Sequence, residues 1–244
     1  MKREIYFVQF LFIALLCLQF AIWNQIKGSK TQWLNVPDTP SRFAASATGF
    51  GDDQFAFRYY ALMLQNMGDI GGQTSALMDY DYDKLTQWFF LENELDNRSN
   101  AIPFLAAYYF GGIQDEKAYK IRPLIEYLEY VGNSPEGEKW RWLAQAAFLA
   151  QYKLQDMNWA LSIAKKLSAL NKAGLPIWAK QMPLIILEKK GEKQTALDMA
   201  MNVLQTEADQ MQPNEVLFLL NHICENLLTP SESMVHPLCA HKRL

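Results

Sequence analysis

The first apolar segment of the chain runs from Ile5 to Trp23 and contains no charged side chain. A helix of about 20 apolar residues is long enough to span the hydrocarbon core of a bilayer. This run is longer than the apolar region of a cleaved signal peptide, and the residues that follow Ala21 do not form a small-residue cleavage site. The pattern therefore predicts an uncleaved transmembrane signal-anchor over residues 1–27.

The pattern changes twice after this span. Residues 28–51 contain Pro37 and Pro40 and lack periodicity, which predicts a linker. From Asp52 onward apolar residues recur at helical spacing, separated by short polar or glycine-containing turns, and no run alternates as a half-buried strand would. We therefore predict an all-α domain over residues 52–228, followed by a flexible tail over residues 229–244.

The helical domain contains an internal repeat with an offset of 36 residues. A weaker copy lies one period earlier, at Leu124, Ile125 and Leu128. The spacing predicts that each unit is a helical hairpin. The matching positions are Trp142 with Trp178, Gln145 with Gln181, Ala160 with Ala196, Leu161 with Leu197, Ala164 with Ala200, and the turn Gln155-Asp156 with Gly191-Glu192.

These residues resemble the tetratricopeptide (TPR) family, in which small residues occupy fixed points of both helices of a two-helix unit. Ala160-Leu161 and Ala164 match the small second-helix positions, and the resemblance covers about residues 101–228. It implies a TPR-like α-solenoid of stacked hairpins, whose extended surface binds other proteins. The stretches W-R-W-L-A-Q-A and Q-M-P also resemble uncharacterised proteobacterial proteins, which implies a bacterial source.

Four side chains are candidates for partner binding on this predicted surface: Arg58, Tyr108, Arg122 and Arg141. Aromatic residues at helical spacing either line a concave groove or pack in the core, and the sequence leaves both interpretations open. The aromatic positions concerned are Tyr108, Tyr109, Phe110, Tyr127, Tyr130, Trp140, Trp142 and Trp159.

Two polar side chains within the predicted span, Gln9 and Gln19, are candidates for contacts with a partner helix, because glutamine in lipid favours interhelical hydrogen bonds. Simple tolerance of both glutamines is the alternative. Since only a few residues precede the span, we expect a cytoplasmic amino terminus, the bacterial inner membrane, and a periplasmic repeat domain.

Three aspartates at alternate positions, Asp79, Asp81 and Asp83, resemble the beginning of an EF-hand loop. Such a loop needs glycine at its sixth position and glutamate at its twelfth, where this chain has Lys84 and Phe90. We therefore predict that the aspartates begin a helix, capping its free N–H groups.

Histidines and cysteines are concentrated near the carboxyl terminus. His236, Cys239 and His241 are weak candidates for metal ligands, although their spacing matches no strong signature. A flexible tail without metal is the simpler interpretation, and a Cys224–Cys239 disulfide is a third one if the domain is exported. With three cysteines in all, a disulfide framework is excluded.

Composition narrows the function classes. The formal net charge is -3, without the clustered positive charge that nucleic-acid binding requires. No nucleophile with a neighbouring base, no carboxylate pair and no cofactor motif stands out, so we expect neither an enzyme nor a cofactor, and no small-molecule ligand. The sequence favours a membrane-anchored adaptor or scaffold for other proteins. The alternative is a structural accessory subunit of a larger membrane complex, with the span packed on partner helices.

Overall fold

The computed structural model describes residues 2–26, 36–70, 73–172 and 174–242. Within these ranges the regular secondary structure is helical apart from one short hairpin, which confirms the predicted all-α class. In the hairpin, β1 (Asp69–Ile70) pairs antiparallel with β2 (Gln73–Thr74). The helices are α1 (Lys2–Ile26), α2 (Arg42–Thr48), α3 (Asp53–Gln65), α4 (Tyr82–Leu95), α5 (Ala101–Phe104), α6 (Arg122–Gly132), α7 (Trp140–Tyr152), α8 (Met157–Ser168), α9 (Ile177–Lys189), α10 (Lys193–Glu207), α11 (Pro213–His222) and α12 (Pro230–Val235).

Shorter helical segments extend or connect these elements. Leu105–Tyr109 continues α5 and Ile223–Leu227 continues α11, each as a π-helical turn. The 3₁₀ segments are Leu77–Asp79, Phe110–Gly112, Asp115–Ile121, Ala208–Gln210 and Pro237–Lys242.

Helix α1 belongs to a compact unit of its own, which comprises residues 1–34. Its segment Tyr6–Gln25 has 20 residues and a mean hydropathy of 2.0, so it is long and apolar enough to cross a membrane. At 1.5 Å per residue this segment is about 30 Å long, the thickness of a bilayer's hydrocarbon core. Gln9 and Gln19 both lie within it, exposed like all its other side chains.

The second unit comprises residues 35–244 and begins earlier than the sequence predicts. Val36 and Ala45 are buried in its core, and the Trp88 indole N–H donates to the Pro37 carbonyl at 2.8 Å. The predicted linker over residues 28–51 is therefore wrong from residue 36 onward, because these contacts and helix α2 fold that part onto the domain. Residues 27–35 of the predicted linker lie outside the described residues.

Helix starts agree in part with the sequence. Asp52 caps α3 by accepting from the N–H groups of Gln54 and Phe55, and Asp81 caps α4 by accepting from Lys84 N–H at 3.1 Å. The prediction that the aspartates begin a helix is thus confirmed for Asp81. The pattern Gln212-Pro213-Asn214-Glu215 is also typical of a helix start, and a capping box formed by Gln212 and Glu215 begins α11.

Two other helix starts differ from what the local sequence predicts. The pattern Ser134-Pro135-Glu136 predicts a helix start at that point, but regular helix α7 begins at Trp140, with a turn in between. Helix α9 begins at Ile177 and contains Pro183, whereas the proline pattern predicts a start near Lys180. Ile177 and the nearby Ala179 are buried, so tertiary packing stabilises this first turn in spite of the missing N–H.

From α6 to α10 each helix packs on the next. We group these helices with α5 into three successive pairs, α5–α6, α7–α8 and α9–α10. The second helices of the pairs, α6, α8 and α10, bury the same positions at an offset of 36. Leu124, Ala160 and Ala196 form one fully buried set, and Leu128, Ala164 and Ala200 form another. Small residues in α8 and α10 let neighbouring helices approach closely.

The preceding helices of these pairs (α7 and α9) match at an offset of 37 instead. Trp142 is buried, but Trp178 is 46% exposed, so the two tryptophans paired in the sequence are not equivalent. The structural counterpart of Trp142 is the buried Ala179. Other buried matches at this offset are Trp140 with Ile177, Ala144 with Gln181, Ala147 with Leu184, Leu149 with Ile186, and Ala150 with Leu187.

The carboxyl-terminal segment is folded. Thr229 and Glu232 form a capping box at the start of α12, and a disulfide joins Cys224 to the buried Cys239. The interpretation of residues 229–244 as a flexible tail is therefore wrong for residues 230–242, because this cap and the covalent bridge hold the segment against the end of α11.

Candidate functional site

The main candidate site is a stripe of exposed and half-buried side chains on the first helices of the successive pairs. On α7 the stripe consists of Arg141, Gln145, Phe148 and Tyr152, spaced as one face of a helix. At the offset of 37 the same face of α9 carries Trp178, Met182, Ile185 and Lys189. The stripe begins with Phe104 and Tyr108 on α5 and its π-helical turn, and Phe218 of α11 extends it. We call these eleven residues the aromatic strip.

The rings of the aromatic strip are much more exposed than a packed core allows. Phe104, Tyr108, Phe148, Tyr152, Trp178 and Phe218 are between 46% and 59% exposed. On the second helices α6, α8 and α10, all of which are described, only Tyr130 is an exposed large hydrophobic residue. Contiguous exposed apolar surface of this kind marks an interaction site.

Side chains connect the helices of the strip to one another. The rings of Trp140 and Trp178 lie 5.7 Å apart, centroid to centroid, and join α7 to α9. At the other end of the same two helices the Lys189 ammonium lies 4.3 Å from the Tyr152 ring centroid and donates to the Tyr152 hydroxyl. The strip is thus a continuous surface.

A polar link extends this surface to α11. The His222 ring lies 3.0 Å from the Glu188 carboxylate of α9, nitrogen to oxygen, and stacks on Phe218 with centroids 6.0 Å apart. Glu188 and Lys189 are adjacent, so α9 contacts Tyr152 of α7 and His222 of α11 through neighbouring residues.

Arg141, one of the predicted partner-binding residues, lies in the strip, but it is already engaged within the chain. Its guanidinium makes two hydrogen bonds to Glu138, at 2.9 and 3.0 Å, and lies 5.0 Å from the Trp140 ring centroid. The hydrogen bond to Glu138 raises the pKa of Arg141 and lowers that of Glu138. The Tyr108 phenol also interacts electrostatically with Arg141, so the structure brings these two predicted residues together.

The structure places the other two predicted partner-binding residues elsewhere. Arg122 begins α6, outside the strip, where it forms an ion pair with Asp156 at 3.1 Å and lies 4.6 Å from the Trp159 ring centroid. Arg58 is an exposed residue of α3. The candidate set therefore does not form one site.

The aromatic residues considered in the sequence divide between core and surface. Phe110, Tyr127, Trp140 and Trp142 are buried, so the core interpretation is correct for them. Tyr108, Tyr109 and Tyr130 are exposed. The exposed positions of Phe148, Tyr152 and Trp178 were not predicted. The sequence of α7 contains a pattern that indicates the exposure of two of them, because apolar residues on the opposite face already fill the core positions and leave no room there for Phe148 and Tyr152.

A carboxyl group lies in the core without a compensating partner. The Glu92 side chain of α4 is fully buried, and neither of its oxygens accepts a hydrogen bond from a described residue. Burial raises its pKa from 4.5 to about 8. Burial and the nearby Glu92 charge also raise the pKa of Tyr127.

The weak metal candidates do not form a site in the described part of the chain. Cys239 is covalently bonded to Cys224, so its sulfur is not a thiolate ligand. The side chain of His241 lies outside the described residues, and among those described no cluster of three ligand residues is present. The same holds for Asp79, Asp81 and Asp83, which border an open cleft of about 680 Å³ with Tyr119 and Lys120.

Comparison of the chain with protein-family models, with curated proteins and with solved structures finds no match. The function is therefore inferred from the geometry of the chain itself.

Proposed function

We propose that this protein is a membrane-anchored scaffold or adaptor that binds other proteins through the aromatic strip. The observation that carries the proposal is the difference between the two kinds of helix. The first helices of the pairs, together with α11, expose six large aromatic rings, whereas on the second helices α6, α8 and α10, all of which are described, Tyr130 is the only exposed large hydrophobic residue. Aromatic side chains are enriched at the energetic centres of protein interfaces.

A TPR-like α-solenoid is the architecture that we propose for the domain. The buried sets at an offset of 36 in α6, α8 and α10 support it, as does the packing of each helix on the next. In such a solenoid, equivalent helices present equivalent faces in a row, so a ligand meets the same face of several helices.

The chemistry of the strip favours a partner segment with large apolar side chains, such as an amphipathic helix laid across α7 and α9. Phe148, Ile185 and Trp178 would contact its apolar face. Lys189 at one margin favours a segment with an acidic residue at that edge, since opposite charges at the rim orient a partner.

We further propose that α1 anchors the protein in the bacterial inner membrane and that the domain is periplasmic. The length and hydropathy of Tyr6–Gln25 support the anchor. The Cys224–Cys239 bridge supports the exported orientation, because disulfides persist in oxidising compartments and are rare in the cytosol.

The proposal is tested by purifying the tagged full-length protein from its own membranes in mild detergent and identifying stoichiometric partners by mass spectrometry. A double variant of the strip, Phe148→Ser with Trp178→Ser, is compared with a control, Tyr119→Ser with Tyr130→Ser, which removes two exposed rings elsewhere. We expect the partner to be lost only from the strip variant, while circular dichroism shows both variants folded. A partner retained equally by both variants would contradict the proposal.

The accessory-subunit alternative depends on the two glutamines of α1. It predicts that Gln9→Leu with Gln19→Leu disrupts the complex while the strip variant leaves it intact. The same purification, applied to this third variant, separates the two functions.

A further inference from the structure

A second exposed apolar surface lies at the beginning of the globular unit, on α2 and α3. Phe43 of α2 is 85% exposed, and Phe50, in the turn before α3, is 96% exposed. These two phenylalanines are more exposed than any ring of the aromatic strip. Exposed phenylalanine is unfavourable in water, so a surface that carries two of them so fully indicates a non-aqueous neighbour.

Helix α3 adds a stripe to this surface. Phe55, Arg58, Tyr59 and Leu62 are all exposed and follow the i, i+3, i+4, i+7 spacing of one helical face. The opposite face, with Phe57, Tyr60 and Leu64, packs into the core. Helix α3 is therefore apolar on both faces, which is typical of a helix buried on two sides. The core of the domain covers one face, and the other face is exposed.

The two helix starts and the turn between them lie together. Arg42 at the start of α2 forms a 2.8 Å ion pair with Asp53 at the start of α3, which places Phe43 beside the amino end of α3. Phe50 lies three residues before Asp53, with a φ angle of 56°, a conformation that glycine adopts more easily than phenylalanine. We call Phe43, Phe50, Phe55, Arg58, Tyr59 and Leu62 the α2–α3 corner.

The corner lies early in the globular unit, close in sequence to the apolar segment Tyr6–Gln25. The globular unit is already folded at Val36, which is buried, and Phe43 follows Val36 by only seven residues. Among the described residues of this unit, Phe43 and Phe50 are the exposed aromatic residues nearest in sequence to that segment.

We propose that the α2–α3 corner rests in the interfacial layer of a lipid bilayer. Aromatic rings are favoured in that layer, and an arginine there keeps its charge among the headgroups while its stem contacts apolar surface. Arg58 forms no ion pair with the residues described, so its charge is free for lipid phosphates. Asp53 is paired with Arg42, and Asp52 accepts from two N–H groups of α3, which reduces repulsion from the headgroups.

This inference depends on the membrane anchoring proposed above, and one experiment tests the two separately. The full-length protein is reconstituted into vesicles of phosphatidylcholine and phosphatidylglycerol and labelled with a nitroxide at a single cysteine. In a Cys17→Ser background the label is attached at Phe43→Cys or Phe50→Cys, with Tyr119→Cys and Val235→Cys as exposed controls. Cys224 and Cys239 are bonded to each other and do not react.

Collisions of the label with oxygen, which dissolves in lipid, are compared with collisions with a water-soluble nickel chelate. We expect positions 43 and 50 to favour oxygen and positions 119 and 235 to favour nickel. Equal, water-like ratios at all four positions would overturn the inference. Shielding of positions 43 and 50 from both reagents would also overturn it, since a protein surface would then cover the corner.

A label on the native Cys17 reports on the anchor alone. Oxygen-rich collisions at Cys17 together with water-like ratios at positions 43 and 50 would reject the corner but retain the anchor. Nickel-rich collisions at Cys17 would reject the anchoring on which both proposals depend.

Discussion

Gln155 and Gly191 occupy the same position in two successive turns, one between α7 and α8 and the other between α9 and α10. Both have positive φ angles, 56° for Gln155 and 83° for Gly191. Each precedes an acidic residue that begins the next helix, Asp156 or Glu192. Both turns thus place a residue of positive φ directly before the next helix, although glycine provides it at only one of the two places.

This equivalence predicts opposite effects for two reciprocal substitutions. Gln155→Gly should stabilise the domain by up to about 1 kcal/mol, because glycine has no Cβ that opposes a positive φ. Gly191→Gln should destabilise it by about 1 kcal/mol, from backbone strain alone, since a Cβ there meets no atom within 4 Å. Urea denaturation of both variants measures the effects, and equal signs would contradict the shared geometry.

The buried carboxyl of Glu92 predicts a pH dependence of stability. Its folded pKa, about 8, lies above its ordinary value of 4.5, so the folded state binds the proton more tightly than the unfolded state. Stability should therefore fall as the pH rises from 4.5 to about 8, by at most about 1.4 kcal/mol per pH unit.

The variant Glu92→Gln should abolish that decrease, because an amide does not ionise. Free energies of unfolding at several pH values across the window provide the measurement. Glu94→Gln is the matched control, since Glu94 is an exposed residue of the same helix, and it should keep the wild-type slope. If the free energy of unfolding of Glu92→Gln decreased with pH as steeply as that of the wild type, Glu92 would be ionised in the folded protein and the prediction would fail.

A polar connection between the second helices α6 and α8 predicts a coupling energy. Glu129 accepts from the Trp159 indole N–H at 3.0 Å and from the Lys166 ammonium at 2.6 Å. Glu129→Ala should destabilise the domain by about 1–3 kcal/mol, because it leaves a partly buried indole N–H without its partner.

A double-mutant cycle isolates this bond. In a Trp159→Phe background the indole N–H is absent, so Glu129→Ala should be less destabilising by about 1 kcal/mol. Lys166→Ala, which removes an exposed ion pair, should change stability by less than about 1 kcal/mol. Additive effects of Glu129→Ala and Trp159→Phe would contradict the coupling.

The Cys224–Cys239 bridge predicts that reduction destabilises the carboxyl-terminal end. The two cysteines are 15 residues apart, and a loop of this length corresponds to about 3 kcal/mol in the chain-entropy account. Urea denaturation with and without dithiothreitol measures the loss, and Cys239→Ser should show no further effect of the reductant. Alkylation of intact cells before lysis should leave both sulfurs unmodified, whereas free thiols there would contradict both the bridge and the exported orientation.

Sequence patterns predicted the features that depend on neighbouring residues. Asp52 and Asp81 cap the helices that follow them because a cap needs only its own turn. The alanines of α8 and α10 identified the 36-residue spacing because close helix packing restricts those positions to small side chains.

Features that depend on distant residues were not predictable in the same way. The offset of 37 between α7 and α9 arises because the turn after α7 contains one extra residue. In that turn the Asp156 N–H donates to the carbonyl of Ala150, six residues back, whereas after α9 the Glu192 N–H donates to the carbonyl of Leu187, five residues back. Sequence alignment at a single offset therefore matched Trp142 with the wrong residue. The exposure of Phe148 and Trp178 depends on the packing of neighbouring helices and has no local signature.

The hydrogen bond from Trp88 to Pro37 has a mechanical consequence. In the membrane-anchored arrangement proposed above, the chain would be pulled at the point where it leaves its folded unit, and that point is fixed by an indole of α4 and by the buried side chain of Val36. Lateral drag would then load the core at once, instead of peeling residues from one end. Such an attachment lets the domain resist tension as a whole.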